Sequence, residues 1–241
     1  MARTRKPSVD DVTPGVPERK GRTWPFPRAT AFLLVLLLFV AKNTAAGQSR
    51  EDWPHVAFSE DGTPISWETH GEGEPALVFV HGWSCDARYW KKQVPVFSKT
   101  RRVITMDLAG HGHSGMNRKQ YTMASFGEDV RAVVEAAAAV KVILVGHSMG
   151  GSVIAEAAKI MPEQVIGLIG VDTLENVGYR MSSEEAKMMV APFEQDFPSA
   201  TKEFVSGMIQ KDTDTELRHW IVSDMASAPP TVAVSAMKEM V

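Results

Sequence analysis

Gly146-His147-Ser148-Met149-Gly150 sets one serine hydroxyl between two glycines. Val142-Ile143-Leu144-Val145 before it reads as a buried strand, and Ser152 to Ala158 after it reads as a helix. A serine on a strand-to-helix turn of this kind is a nucleophile elbow. The turn is tight enough that a Cβ at position 146 or 150 would collide with strand or helix. Strained backbone lifts the Ser148 hydroxyl into the open, and the helix N-terminus behind it favours developing negative charge. The competing reading is a glycine-rich turn with an incidental serine.

Such a serine needs donors for the oxyanion it creates. Ala76 to Val80 is a second buried strand, running into His81-Gly82-Trp83. One donor is the backbone N–H of the residue after the serine, Met149. The other is a backbone N–H from the loop after the earlier strand, assigned to Trp83. Charge collects on the carbonyl oxygen only in the tetrahedral state, so these donors favour the transition state over the bound ester.

A third strand, Val103 to Asp107, leads into Leu108-Ala109-Gly110-His111-Gly112-His113-Ser114-Gly115. Residues 110–115 also fit Gly-x-Gly-x-x-Gly, the dinucleotide-binding pattern. That site would open a helix inside the motif. Here Asn117 to Gln120 continues as loop, and the helix starts only near Thr122. No cofactor and no metal site is expected.

His81-Gly82-Trp83, Asp107 to Ser114 and Gly146 to Gly151 occur in the order and spacing of the α/β-hydrolase superfamily, which the chain resembles over residues 55 to 241. The resemblance implies an α/β fold: a mostly parallel sheet, helices on both faces, and a helical lid. It implies a serine, histidine and acid triad acting on a small-molecule acyl or ester substrate with an apolar part. Aspartate at the nucleophile position marks the dehalogenases of this fold, and Ser148 argues against them.

The supporting elements read as follows. Residues 55–58 and 65–69 flank Asp61-Gly62 as an antiparallel hairpin. Asp86 to Ser98 and Thr122 to Val140 read as helices, and Val165 to Asp172 as the strand after the nucleophile helix. Alternating strands and helices predict a parallel sheet covered on both faces. The domains expected are a leader or membrane anchor over 1–46, a hydrolase core over 51–175 and a lid over 176–241. Residues 181–241 hold seven of the thirteen methionines, and Ser182 and Thr213-Asp214 mark helix starts. Methionines and aromatics there suit either a pliable acyl pocket or ordinary helix packing.

The formal charge of −3 conceals a split. Residues 1–50 carry nine basic and three acidic side chains, leaving seventeen basic and twenty-six acidic over 51–241. An acidic globular part does not suit nucleic acid. The basic stretch precedes an apolar run of eleven residues, Ala31 to Ala41, too short to span about 30 Å of bilayer. Thr44-Ala45-Ala46 then fits signal-peptidase cleavage. Export to a periplasmic or extracellular location is expected, with membrane contact only through this segment if it stays uncleaved. Cys85 is the only cysteine and reads as a semi-buried thiol without an adjacent base.

The resemblance places the triad histidine, and usually the acid, on loops after two further strands beyond the lid. Neither strand is legible before Val241, so the sequence reads as C-terminally incomplete. His81, His111, His113, His147 and His219 are poor substitutes, and Asp172 fits loop bracing. Two function classes stay open: an exported carboxylic-ester hydrolase, or a hydrolase-like binding module lacking the triad histidine. A perhydrolase or haloperoxidase shares the motifs and stays open within catalysis.

Overall fold

The structure is a computed structural model and describes residues 54–173 and 181–241. Six strands form one sheet: β1 (His55–Phe58), β2 (Pro64–His70), β3 (Ala76–Val80), β4 (Val103–Met106), β5 (Val142–His147) and β6 (Val165–Val171). Their order is β1-β2-β4-β3-β5-β6, with β1 and β2 antiparallel to their neighbours and the rest parallel. The mostly parallel hydrolase sheet expected from the sequence is therefore present. The expected leader over residues 1–46 lies outside the described residues, as does the expected core–lid boundary near 175.

The centre of the sheet, at β3, is covered on both faces. Its five residues are all buried. Ala76, Val78 and Val80 point into one apolar cluster, while Leu77 and Phe79 join Trp90, Val103 and Val145 in another. Period-two alternation delivers apolar side chains to both sides, at about 1.5–3 kcal/mol for each large side chain buried. One face is packed by helices α2 (Met123–Ala136) and α3 (Met149–Ile160). These two touch closely at Gly127, where a Cβ would stand 3.0 Å from the Ala157 nitrogen.

Two expected helices are shorter than the sequence suggested. Asp86 to Ser98 divides into a 3-10 turn over Ala87–Trp90, capped by the Asp86 carboxylate, and a single turn α1 (Val94–Phe97). Pro95 has no N–H to give the preceding turn, so the helix restarts with proline in its first turn. Helix α2 begins under a Thr122/Ser125 capping box and stops at Ala136 rather than Val140. Ala138 takes φ +50°, which turns the chain toward β5. The alanine run gave no signal of this, because alanine is neutral to where a helix must end.

Beyond residue 181 the chain is helical: α4 (Ser183–Gln195), α5 (Phe197–Met208), α6 (Thr215–Ala226) and α7 (Pro230–Met240). Ser182 caps α4 in a reciprocal box with Glu185, and Asp214 caps α6. Among the described residues no helix is long and apolar enough to cross a membrane. On the sheet's far side β6 is an edge strand among the described residues, and Ile166, Leu168, Ile169 and Val171 are exposed.

Candidate active site

β5 runs directly into Ser148, and α3 starts at the next residue. Ser148 has φ +51° and ψ −120°, a conformation that L-residues avoid and that stores strain. Neighbouring backbone holds it there. Its N–H donates to the Val171 carbonyl at 3.1 Å, and its own carbonyl accepts from Gly151 N–H and from the Thr173 hydroxyl. The glycines behave as the sequence implied. A Cβ on Gly146 would overlap the Gly150 backbone, and one on Gly150 would approach the Val80 carbonyl oxygen to 2.6 Å. The Ser148 side chain is exposed.

The loop after β3 lies against this turn. A Cβ on Gly82 would stand 3.3 Å from Ser148 Cβ. Ser148, Met149 and Trp83, the three residues singled out from the sequence, are thus brought together. Among the described hydrogen bonds, neither the Trp83 nor the Met149 backbone N–H has an acceptor.

His81 holds the loop in place. Its Nε2 accepts from Leu108 N–H at 3.0 Å, and its Nδ1 stands 2.9 Å from the Gly82 carbonyl. Since Nε2 accepts, the proton sits on Nδ1 and donates to Gly82. The Gly82 carbonyl and the Trp83 N–H belong to one planar peptide and point in opposite directions. Fixing the carbonyl therefore fixes the aim of the N–H. Burial pushes the His81 imidazole down to about 4, so the neutral tautomer this requires is kept. Trp83 is anchored by its indole, which donates to Ala233 of α7 at 2.7 Å and packs edge-on against Phe193, Phe197 and Phe204.

The glycine-rich loop is structural in this fold. No helix opens within residues 110–115. The Asp107 carboxylate accepts from the Ala87 and His113 N–H groups, and a Cβ on Gly112 would strike it. Asp129, which sequence reasoning passed over, accepts from Ala109 N–H at 3.0 Å and pairs with Arg118 at 2.6 Å. Arg118 also reaches Asp61 and Ser59, tying the β1–β2 hairpin to the loop. Only the charges were legible here, since these partners are eleven to fifty-nine positions apart.

None of the described histidines is hydrogen-bonded to Ser148. His111 is buried, donates from Nδ1 to the Ala109 carbonyl, and is pushed down to about 3 by burial. His113 is exposed beside Asp107, and His219 lines a surface groove with Trp220. His147 and Asp172 line the same cavity as Ser148, and burial lowers the His147 imidazole. The Cys85 thiol is buried and pushed up to about 12, which keeps it protonated and unreactive.

Lid side chains and the elbow enclose a cavity of about 540 Å³. Ser148, Gly82 and Trp83 line one side, and Phe204, Val205, Ile209, Ile221 and six methionines line the rest. Met225 and Met237 also belong to the buried core, so the methionine-rich segment both walls the cavity and packs the helices.

A family model described as alpha/beta hydrolase fold matches residues 75–211. A pimeloyl-[acyl-carrier protein] methyl ester esterase of Aliivibrio fischeri is 39% identical over 109 residues, 45% of this chain and 40% of the relative. A dihydrolipoyllysine-residue acetyltransferase component of an acetoin cleaving system, from Pseudomonas putida, is 36% identical over 54% of this chain and 35% of that protein. The chain therefore spans less than half the length of these two relatives. Among solved structures, a thermophilic esterase from Thermogutta terrifontis superposes with a TM-score of 0.68 at 24% identity, covering 77% of this chain and 71% of that one.

Proposed function

Because this chain belongs to the alpha/beta hydrolase fold family, we propose that Ser148 is the acyl nucleophile of a carboxylic-ester hydrolase. The observation that carries the reading is the strained, exposed serine at the head of α3, with Gly82, the residue before Trp83, packed against it. In the step proposed, Ser148 Oγ attacks the ester carbonyl carbon and the C=O π electrons move to oxygen. The Trp83 and Met149 N–H groups receive that oxyanion. Its collapse breaks the C–O bond, and the leaving alkoxide takes up, through a base, the proton that Ser148 gave up. Water then attacks the acyl-serine and releases the acid. The acyl chain lies in the methionine-lined cavity. The names of the esterase relatives support this reaction class.

The serine proton needs a base, and among the described residues no histidine is hydrogen-bonded to Ser148. An alkyl fluorophosphonate, which phosphonylates activated serines, tests the nucleophile separately from turnover. In a protein that includes the base, labelling is expected at Ser148, together with hydrolysis of p-nitrophenyl butyrate. Ser148→Ala should abolish the label and lower any turnover by on the order of 10⁴-fold or more. Labelling that persists in Ser148→Ala would place the nucleophile elsewhere.

We also propose export, from the basic stretch, the eleven-residue apolar run and Thr44-Ala45-Ala46. The mature N-terminus is then expected near Gly47. N-terminal sequencing of the cellular protein checks it, and an intact residue 1 in the cytoplasm would sink the idea.

A further inference from the structure

Six of the seven methionines between residues 181 and 241 line a cavity that Ser148 also lines. They come from every element of the lid: Met181 just before α4, Met189 in α4, Met208 at the end of α5, Met225 in α6, and Met237 and Met240 in α7. Their exposure is graded. Met208 and Met189 are 57% and 38% exposed, whereas Met225 and Met237 are 7% and 3% exposed. The cavity therefore has an accessible thioether rim and a shielded thioether floor.

Thioethers are apolar walls with one chemical liability: a two-electron oxidant turns them into polar sulfoxides, and reductases turn them back. We propose that Met189 and Met208 are a reversible oxidation site through which hydroperoxides weaken binding of long acyl chains. In the step, a sulfur lone pair attacks one peroxide oxygen, the O–O bond breaks and an S–O bond forms. The other oxygen leaves with the proton as water or an alcohol, so sulfur loses the two electrons that the peroxide gains. A dithiol-dependent sulfoxide reductase reverses the change. The sulfoxide oxygen places a strong acceptor in the wall that a methylene chain would contact. Ser148 and the backbone donors carry no oxidisable atom, so short substrates that never reach the rim are spared. Met188 provides an internal contrast, being 68% exposed on the same helix but outside the cavity wall.

This inference rests on reading the cavity as the acyl site, so its test uses binding rather than turnover. The full chain is titrated with hydrogen peroxide, oxygen addition at each methionine is followed by peptide mass spectrometry, and octanamide binding is measured by calorimetry. Met208 and Met189 should oxidise before Met225 and Met237. Octanamide affinity should then fall about tenfold, the loss of one to two buried methylenes at about fourfold each. Reductase with dithiothreitol should restore it. The paired variant Met189→Leu/Met208→Leu, which conserves volume, should keep its affinity through oxidation, and Met188→Leu should lose it as the parent does. Three results overturn the proposal: no octanamide binding by the reduced protein, unchanged affinity after oxidation at 189 and 208, or an equal loss in the paired leucine variant. Fluorophosphonate labelling separates the two readings. Oxidation-sensitive binding without a Ser148 label removes the nucleophile and leaves this site standing.

Discussion

His81 shows how a single imidazole can set both stability and geometry. It is fully buried, neutral, and hydrogen-bonded at both ring nitrogens. In the unfolded chain it takes a proton near its ordinary value of 6.5, while the fold refuses that proton until about 4. Between those values the unfolded state binds more protons, so stability falls as the pH drops through the window and is whole above it. His111 acts with the same sign, held down to about 3. For His81 alone the loss amounts to about 3 kcal/mol at most. Thermal melting between pH 7.5 and 4.5 should show a steep decline. His81→Phe should melt lower at pH 7.5, having lost both hydrogen bonds, and should decline less steeply. A parallel pair of curves would mean that His81 does not carry the effect.

Among the elements, the 3-10 turn and α6 are latched to each other. Arg88 bridges Asp86 at 2.6 Å and Asp224 of α6, while Tyr89 packs at a tilt against Trp220 with ring centroids 4.7 Å apart. Lys91 Nζ lies 4.2 Å from the Trp220 ring centre. Half of the Arg88 side chain is in solvent, so its ion pair with Asp224 contributes about 1 kcal/mol or less and weakens with salt. Arg88→Met should speed amide exchange over residues 215–226 by up to about fivefold and leave 149–160 unchanged. Equal acceleration of both segments would show a global effect in place of a latch. The latch bears on the cavity because α6 supplies Ile221 and Met225 to its wall.

At the scale of the whole molecule, β6 is an edge strand among the described residues. An edge strand usually carries charge, proline or a bulge that discourages another strand from pairing with it. Val165 to Val171 has no charge and no proline, and four of its large apolar side chains are 39% to 55% exposed. The chain of residues 1–241 is expected to self-associate with rising concentration. Sedimentation velocity across a concentration series would detect this, and Ile169→Lys should shift the distribution toward monomer. A single monomeric boundary at every concentration would contradict the expectation.

The sequence by itself determined the elbow, the loop and strand that face it, and the parallel sheet. These signals are local, since Gly146, Ser148 and Gly150 fall within five residues and β3 and β5 are continuous apolar runs. Ser182 and Asp214 were readable as caps for the same reason: a cap satisfies N–H groups two or three residues away. The tertiary structure decided what depends on distant partners. That His81 aims the Trp83 peptide follows from Leu108, twenty-seven positions on, coming within 3.0 Å of its ring. That Asp129 braces the glycine-rich loop follows from Arg118 and Ala109 converging on one buried carboxylate. Periodicity marks which helix face is apolar but not what that face meets. Only packing could therefore turn a methionine-rich stretch into the wall of a cavity over Ser148.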